Sequence, residues 1–503
     1  MQDLVAIVGT TGVGKSQLAV ELALWMKANL ASKDSVFPKG AEIINADSMQ
    51  VYRGLDIITN KATRDEKQAI PHHLMDFLEP GQEYRVDRFR KDAMQTVEHI
   101  SDRGNLPILV GGTMYFIQHL LFPGHLVSAD DNVKETSYAR ELEELPLTIR
   151  ERAVQLPPEL LELVFMLPDI PSVSSSASFP EDFPVSVLPS RYQKPETLSA
   201  GLYRILQAID PVAATKWHWR DIRKVRRSIE IALQVGRTYS DIISEQQSAS
   251  DQPQYRTLIF WLHADPASLE PRLDARIQKM VDRGLLQEIL QLRKIARDHA
   301  HVDLSRGVYQ SIGYKEFSSY FTECDSGKLQ DLAEQERLFE LGFEQMKLRT
   351  RQYARRQVKW IRTQLLPAMY KSSEASEDHG KNAMICLLDA SNLNGWHSNV
   401  REPATQMLKS FLLQDPMPVP EQLSELAAKH LALKSTPTSS RERKKRICEV
   451  CTIDAAQPFL VEEGSQESAH RQSRAHRKRL QKRMTAIVVD KRGSNPPGEA
   501  LSF

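Results

Sequence analysis

Residues 9–16 have the residue types and spacing of a phosphate-binding loop. They read GTTGVGKS, which satisfies G-x-x-x-x-G-K-[ST], and they lie between the apolar run LVAIV and a helix-like stretch without Gly or Pro. Glycines in such a loop let backbone N–H groups converge on phosphate oxygens, Lys15 adds a cation, and Ser16 can hold Mg²⁺. The predicted phosphate-binding residues are Gly9, Thr10, Thr11, Gly12, Val13, Gly14, Lys15 and Ser16.

An acidic residue follows the second strand-like run. Asp47 comes directly after AEIINA, whereas the run LPILV ends at Gly111 and Gly112 without a carboxylate. In nucleotide hydrolases an acid at a strand end serves the metal, so the glycines after LPILV argue against that class. Ligands of parallel sheets bind at the carboxyl ends of the strands, where Asp47 can approach the loop. From the residues alone, a turn or helix-capping role for Asp47 stays open.

Two cysteines and two histidines near the C-terminus occur in metal-ligand order. Cys448 and Cys451 form CEVC, and His470 and His476 follow a spacer of eighteen residues. A Cys₂His₂ set is typical of structural zinc, so the pattern predicts a zinc finger. The histidine-bearing segment is rich in Lys and Arg, which suits contact with RNA phosphates.

Two helical patterns carry further cations. In the stretch 346–362, Arg351, Arg355 and Arg362 lie near one helical stripe, which favours phosphate contacts, although a solvated basic face is the alternative. In the stretch 221–236, Asp221 can begin a helix and Gly236 can end it. Its apolar face contains Ile222, Val225, Ile229 and Leu233, and its opposite face contains Arg223, Arg227 and Glu230. A surface pair between Arg227 and Glu230 is the alternative to a binding role.

Composition and organisation along the chain predict the fold class. The chain has 503 residues, 41% of them hydrophobic, and a net charge of +1. Short apolar runs alternate with helical patterns at its start, which predicts an α/β fold: a P-loop-type parallel sheet with flanking helices, a mainly helical insertion and a small C-terminal zinc finger. The predicted parts are 1–125 (first part of the catalytic core), 126–200 (inserted flexible or helical segment), 201–370 (second part of the core, with the basic helix), 371–445 (linker and small Leu-rich segment), 446–484 (finger) and 485–503 (tail).

Composition also leads to expectations about location. No run approaches eighteen apolar residues, so we expect no membrane span. We expect a monomeric, cytoplasmic protein, and the strand pattern DLVAIV at the N-terminus does not support a mitochondrial form. The run RERKKR at 441–446 is either a nuclear localisation signal or an extension of the basic surface.

Six motifs occur in the order in which tRNA dimethylallyltransferases carry them. They are GTTGVGKSQLA, INADSMQVYRGLDIITNKAT, PHHLMDF, LVGGTMYFIQ, GVYQSIGYKEF and TRQYARRQVKWIR. The chain therefore resembles this family over 4–125 and 200–365, and its Cys/His segment resembles the U1/matrin-like finger of the eukaryotic branch. It departs from the family in two places: the spacer inside the finger is longer, and His-Trp-Arg-Asp at 218–221 replaces the usual His-Pro-Asn-Asp.

The resemblance implies a reaction and a role for each matching residue. Dimethylallyl diphosphate would donate its dimethylallyl group to the exocyclic N6 of the adenosine 3′-adjacent to the tRNA anticodon, with release of diphosphate. Asp47 would be the general base, Arg227 would bind the diphosphate with Mg²⁺, and Thr11 would be a loop hydroxyl of the substrate site. The implied catalytic set is Asp47, Lys15, Arg227 and Thr11. Together with the basic helix, the candidates for tRNA contact are Asp47, Ser48, Met49, Gln50, Thr113, Arg223, Lys224, Arg351, Arg355 and Arg362.

Two other enzyme classes stay in view. One is an adenylate isopentenyltransferase acting on a free nucleotide, but the finger and the basic helix would then have no evident role. The other is a P-loop nucleotide kinase or ATPase with an RNA-binding finger, which the glycines at the end of LPILV disfavour.

Overall fold

Six segments of the chain pair side by side in one parallel sheet. The strands are β1 (Asp3–Gly9), β2 (Ala41–Asn45), β3 (His72–His73), β4 (Leu106–Val110), β5 (Arg256–His263) and β6 (Ala383–Asp389). Their order is β3-β2-β4-β1-β5-β6, and β1 leads directly into the phosphate loop. That loop therefore follows a central strand, at the carboxyl edge where parallel sheets bind ligands. The predicted α/β class is confirmed.

The computed structural model divides the chain into two units. The sheet unit comprises Met1–Leu126 and Gln247–Thr436, and the helical unit comprises Val127–Gln246 and Pro437–Phe503. The residues described are 1–29, 37–122, 141–168, 170, 179, 184–248, 253–298, 303–304, 306–325, 332–374, 383–432, 445–453 and 457–481. Most of the Ser/Pro-rich run 171–180, most of the predicted linkers and the tail 485–503 lie outside them.

Helices cover both faces of the sheet. In the sheet unit they are α1 (Lys15–Asn29), α2 (Arg64–Lys67), α3 (Val86–Asp102), α4 (Met114–Leu121), α11 (Pro266–Asp282), α12 (Leu285–Asp298), α13 (Ser318–Asp325), α14 (Leu332–Trp360), α15 (Leu366–Glu374), α16 (Glu402–Leu413) and α17 (Glu425–Leu431). Alternate residues of β1 enter separate cores: Ala6 packs on the side of α3 and α4, and Ile7 on the side of α1 and α16. Burial on both faces explains why the central strands are continuous apolar runs rather than alternating ones.

The edge strand β6 differs from the predicted organisation. Residues 383–389 fall in the segment predicted to be linker and Leu-rich chain, but they extend the sheet in register with β5, from Thr257 opposite Ala383 to His263 opposite Asp389. The apolar sequence AMICLLD buries Cys386 completely. Its pairing partner lies far back in the chain, so local pattern alone does not identify this segment as a strand of the sheet.

The helical unit also differs from the predicted boundaries. Its helices are α5 (Leu147–Ala153), α6 (Pro158–Met166), α7 (Pro195–Ile209), α8 (Pro211–Lys216), α9 (Ile222–Val235) and α10 (Tyr239–Ser248), the last of which ends across the unit boundary. The prediction assigned residues from 201 onward to the catalytic core, whereas α7 and α9 share one buried core with α5 and α6. Leu163, Leu202 and Ile229 are all fully buried there, so packing joins 201–246 to the insertion.

The finger region forms a small ββα arrangement. An antiparallel pair, β7 (Lys445–Ile447) and β8 (Leu460–Glu462), is followed by α18 (Ser465–Gln472) and by helical residues 474–481. Among the residues that the structure describes, no helix has the length and apolar character needed to cross a membrane.

Candidate active site

A cavity of about 1060 Å³ opens at the carboxyl edge of the sheet. It is lined by the phosphate loop, the turn after β2, the GGT turn after β4, and the helices α11 and α14. The predicted residues that line it are Thr11, Gly12, Gly14, Lys15, Ser16, Asp47, Ser48, Met49, Gln50 and Thr113. Three others of the loop lie elsewhere: Gly9 approaches the backbone of Leu262, Thr10 lines a different cavity, and Val13 is buried in the core.

The phosphate loop is packed from outside by an aromatic residue. Gly14 has a φ of 96°, and a Cβ there would lie 2.5 Å from the ring of Trp396. The indole N–H of Trp396 donates to the Glu21 carboxylate at 2.9 Å, so the ring is anchored to α1. Glycine at position 14 therefore satisfies both the left-handed backbone and the close approach of Trp396.

Lys15 is a half-buried cation that lines the cavity. Its Nζ donates to the carbonyl oxygen of Thr10 at 2.7 Å. Burial lowers the pKa of Lys15 to about 8, Asp47 acts in the opposite direction, and Arg276 adds to the lowering. A phosphate ligand would replace the missing solvation of this ammonium group and raise its pKa again.

Asp47 shapes a turn and also lines the cavity. Its Oδ1 accepts a hydrogen bond from the backbone N–H of Met49 at 3.0 Å, which closes a local turn. Burial raises the pKa of Asp47 above its usual 3.8, although the Met49 N–H, Lys15 and Arg276 lower it. A turn role and a binding role for Asp47 are thus compatible, because one oxygen shapes the turn while the carboxyl group lines the cavity.

Hydrogen bonds connect the turn after β2 with the GGT turn. The backbone N–H of Ser48 donates to Thr113 Oγ1 at 3.0 Å, and the two hydroxyl groups lie 3.2 Å apart. Gln50 Nε2 donates to the carbonyl oxygen of Asn60 at 3.2 Å. These contacts bring Asp47, Ser48, Gln50 and Thr113 into one wall.

Sequence reasoning missed a second cation of the cavity, the half-buried Arg276 of α11. Its Nη1 donates to Thr11 Oγ1 at 2.9 Å, and its Nε donates to Asn60 Oδ1 at 2.7 Å. Burial lowers the pKa of Arg276 to about 10. The available signal was its position beside Leu273 and Ile277 on the buried face of α11, since an unpaired charge is rarely placed on such a face without a role.

Gln357 of α14 was also missed, and it links two loops of the site. The backbone N–H of Thr11 donates to Gln357 Oε1 at 2.8 Å, while Gln357 Nε2 donates to the carbonyl oxygen of Gly112 at 2.9 Å. Tyr353 OH reaches the same carbonyl oxygen at 3.3 Å. Gln357 falls on a buried stripe with Ala354 and Ile361, which was the signal for its inward direction.

The four predicted metal ligands converge. The ligand atoms of Cys448, Cys451, His470 and His476 all lie within 4.8 Å of one another. His476 Nδ1 is 3.4 Å from Cys448 Sγ and 3.5 Å from Cys451 Sγ, and His470 Nε2 is 3.3 Å from Cys448 Sγ. Tetrahedral zinc with bonds of about 2.0–2.3 Å separates its ligand atoms by roughly 3.3–3.8 Å, so the group fits a metal ion despite the long spacer.

Comparison with known proteins places the chain in a family. The family model described as IPP transferase matches residues 50–162 and 176–364, more than half of the chain. A tRNA dimethylallyltransferase of Schizosaccharomyces pombe is 34% identical over 484 residues, which cover 95% of this chain and 94% of that protein. The chain belongs to the tRNA dimethylallyltransferase family. It is thus an enzyme of prenyl transfer, as the sequence motifs predicted.

Other members extend the likeness. The tRNA dimethylallyltransferase of Saccharomyces cerevisiae is 33% identical, with 85% of this chain and 81% of that protein covered. The solved structure of a eukaryotic dimethylallyltransferase described as acting on tRNA has a TM-score of 0.67 and 29% identity, and the match covers 98% of this chain and 99% of that one. Similarity over nearly the full length includes the C-terminal region.

In this member of the tRNA dimethylallyltransferase family, two arginines of the basic stretch 346–362 contact acidic residues of α11. Arg351 Nε donates to Asp274 Oδ1 at 3.0 Å, and Arg355 Nη2 donates to Glu270 Oε1 at 2.6 Å. Arg362 lies in the π-helical turn Ile361–Leu365 and lines a separate cavity of about 510 Å³. Their contact with tRNA stays a prediction, and two of these arginines would exchange a carboxylate for an RNA phosphate.

The predicted residues of α9 belong to the helical unit. The helix ends at Gly236, which has a φ of 72°, and Asp221 begins it but pairs with Lys224 Nζ at 2.8 Å instead of capping the backbone with its side chain. Arg223 is exposed, and Arg227 lies 3.6 Å from Glu230, the pair that the sequence allowed. The role of Arg227 on the diphosphate stays a prediction, because Arg276 is the arginine that the sheet unit itself brings to the phosphate loop.

Proposed function

We propose that this enzyme transfers a dimethylallyl group from dimethylallyl diphosphate to N6 of the adenosine 3′-adjacent to the tRNA anticodon. One observation carries the proposal: a phosphate loop, two half-buried cations and a carboxyl group with a raised pKa line the same cavity. The loop and the cations can stabilise an anionic leaving group, and the carboxyl group can accept a proton from a weak nucleophile. Hydrolysis of a nucleotide is not required.

The cations act on the leaving group. As the allylic C–O bond breaks, negative charge grows on the diphosphate, and the loop amides, Lys15 and Arg276 are placed to stabilise it. Ser16 lines the cavity and would hold Mg²⁺, which adds positive charge at the diphosphate. Thr11 and Asn60 hold the Arg276 guanidinium, so little reorganisation is needed during the reaction.

Asp47 acts on the nucleophile. The lone pair of adenine N6 is delocalised into the ring, so the amine attacks poorly without an acceptor for its proton. The Asp47 carboxylate accepts a hydrogen bond from N6–H and takes the proton as the new C–N bond forms. Its raised pKa makes it a stronger base than an ordinary carboxylate. A base in an anticodon loop must be swung out of its stack to reach such a cavity.

A transfer assay with three acceptors tests the proposal. Labelled dimethylallyl diphosphate is incubated with the enzyme and either tRNA, AMP or ATP, and label on each acceptor is measured. We expect transfer to tRNA alone. Label on AMP would favour an adenylate isopentenyltransferase, and hydrolysis of ATP without prenyl transfer would favour the kinase or ATPase class.

The pKa of Lys15 predicts an alkaline limit to diphosphate use. Because the free enzyme holds Lys15 with a pKa of about 8, kcat/KM for dimethylallyl diphosphate should fall as the pH rises through that value, while kcat should be less affected. Lys15→Arg keeps its charge at higher pH, so this limb should disappear from the residual activity. Lys409→Arg on the exposed side of α16 is the control. An identical limb in Lys15→Arg would assign the titration to another group.

We further propose that the Cys/His group holds zinc and that the finger binds tRNA phosphates. Cys448→Ser should lose the bound zinc and raise KM for tRNA. A finger folds only with its metal, and the Lys- and Arg-rich segment that carries its histidines then adds phosphate contacts. kcat at saturating tRNA should stay near wild type, because Asp47 and the phosphate loop are in the sheet unit. Metal analysis checks the loss of zinc, and tRNA kinetics check the rise in KM. Cys324→Ser is the control for both measurements. Full zinc in Cys448→Ser would refute the ligand assignment.

A further inference from the structure

Within the helical unit, the finger contacts the loop 218–221, where the chain departs from its family. Trp219 is only 4% exposed, and its indole N–H donates to the carbonyl oxygen of Pro458 at 3.1 Å. Pro458 lies between the two metal-ligand pairs, two residues before β8. Both residues belong to the helical unit. A residue of the 218–221 loop is therefore a direct donor to the finger backbone.

Apolar packing supports the same contact from the other side. Leu460 of β8 packs against the buried core of the helical unit, which includes Trp219, Ile222 and Val225. The Trp219 ring is itself held on the loop, with the His218 ring stacked at 5.7 Å and the Arg220 guanidinium 4.9 Å from it. The neighbouring His218 and Arg220 side chains thus pack against the ring that contacts the finger.

Docking brings cations from separate segments together. Lys445 of β7 is close enough to Asp221 and Lys224 for their charges to interact. Arg223 and Lys224 are exposed on the adjacent turn of α9. With the finger held in place, Lys445 of the finger lies near Lys224 of α9, and neighbouring cations from two segments suit contact with one phosphate backbone.

We propose that Trp219 is a positioning residue that fixes the metal-binding finger on the helices α5–α10 of the same unit, so that finger and helices bind one stretch of tRNA backbone as a rigid body. The proposal rests on tRNA being the substrate, as proposed above. Without the Trp219 contact the finger still folds and holds its metal, but it must be ordered each time tRNA binds. That ordering weakens tRNA binding and leaves the chemical step unchanged.

Two variants approach the contact from its two sides. Trp219→Phe keeps an aromatic ring in the core but removes the donor to Pro458, and Leu460→Ala removes the packing from the finger. Trp217→Phe is the matched control, because Trp217 lies directly before the 218–221 loop, donates to Ser228 Oγ inside the helical unit at 3.0 Å, and has Lys224 Nζ 5.0 Å from its ring, a contact that phenylalanine keeps. All three are made in the full chain, and zinc content and overall unfolding are measured first.

Hydrogen exchange of the segment 457–472 tests docking without reference to tRNA. We expect faster exchange in Trp219→Phe and Leu460→Ala at unchanged zinc content, with Trp217→Phe like wild type. Wild-type exchange in both docking variants would overturn the proposal. This measurement stands even if transfer to tRNA were not found, so a failed docking contact and a failed function can be told apart.

tRNA kinetics test the consequence. KM for tRNA should rise by about twofold to tenfold in each docking variant, as expected for loss of one buried hydrogen bond or small apolar contact, with kcat and KM for the diphosphate unchanged. In a Cys448→Ser chain, where the finger is unfolded, Trp219→Phe should raise KM no further. The proposal is wrong if Trp219→Phe leaves KM for tRNA unchanged in the full chain, or if it raises that KM equally in the Cys448→Ser chain. Trp219 would then serve only the stability of the helical unit.

Discussion

Asp47→Asn is expected to lower kcat for tRNA prenylation by about two to four orders of magnitude, the range usual for loss of a general base. The amide has nearly the same size as the carboxylate, and its oxygen can still accept the Met49 N–H that closes the turn. It cannot take the N6 proton. The variant therefore separates the chemical role of Asp47 from its role in the turn.

Binding measurements make this test specific. Asp47→Asn should bind tRNA and dimethylallyl diphosphate nearly as well as wild type, and Asp102→Asn on the exposed surface of α3 serves as a control of the same chemical change. Single-turnover rates at saturating tRNA are the decisive quantity. If Asp47→Asn retains activity within about threefold of wild type, Asp47 is only a turn residue and the proposed base is wrong.

Arg276→Ala is expected to reduce kcat/KM for dimethylallyl diphosphate by about two to three orders of magnitude, as for removal of a preorganised group that stabilises developing charge. The guanidinium contacts both Thr11 of the phosphate loop and Asn60. Its loss removes a cation and leaves those two side chains without their donor. Arg276→Lys should recover only part of the activity, because one ammonium group cannot reproduce both contacts.

A comparison of three arginine variants tests which residue serves the diphosphate. The sequence-based assignment expects the same defect in Arg227→Ala, whereas Arg297→Ala, at the exposed end of α12 and away from the cavity, should be mild. Steady-state kinetics with each substrate varied separately distinguish a diphosphate defect from a tRNA defect. A normal KM for the diphosphate in Arg227→Ala would remove Arg227 from this role, and normal use of the diphosphate by Arg276→Ala would refute the assignment of Arg276.

The features determined by the sequence alone are those in which chemistry depends on near neighbours in the chain. The spacing of Gly9, Gly14 and Lys15 identifies a phosphate loop, because its function resides in consecutive backbone N–H groups and one cation. The order of Cys448, Cys451, His470 and His476 likewise identified a group whose ligand atoms lie within 4.8 Å of one another in the structure. The parallel sheet was predictable because strand and helix patterns alternate along the chain.

Only the tertiary structure decided which distant residues complete these local motifs. Arg276 and Gln357 reach the phosphate loop from helices far along the chain, so no local spacing relates them to Thr11. β6 joined the sheet for the same reason, since a strand is completed by hydrogen bonds to a partner elsewhere in sequence. In the sequence, Trp219 was only a departure from the family's usual His-Pro-Asn-Asp. Its burial and its hydrogen bond to the finger give it a structural role that only the tertiary structure reveals.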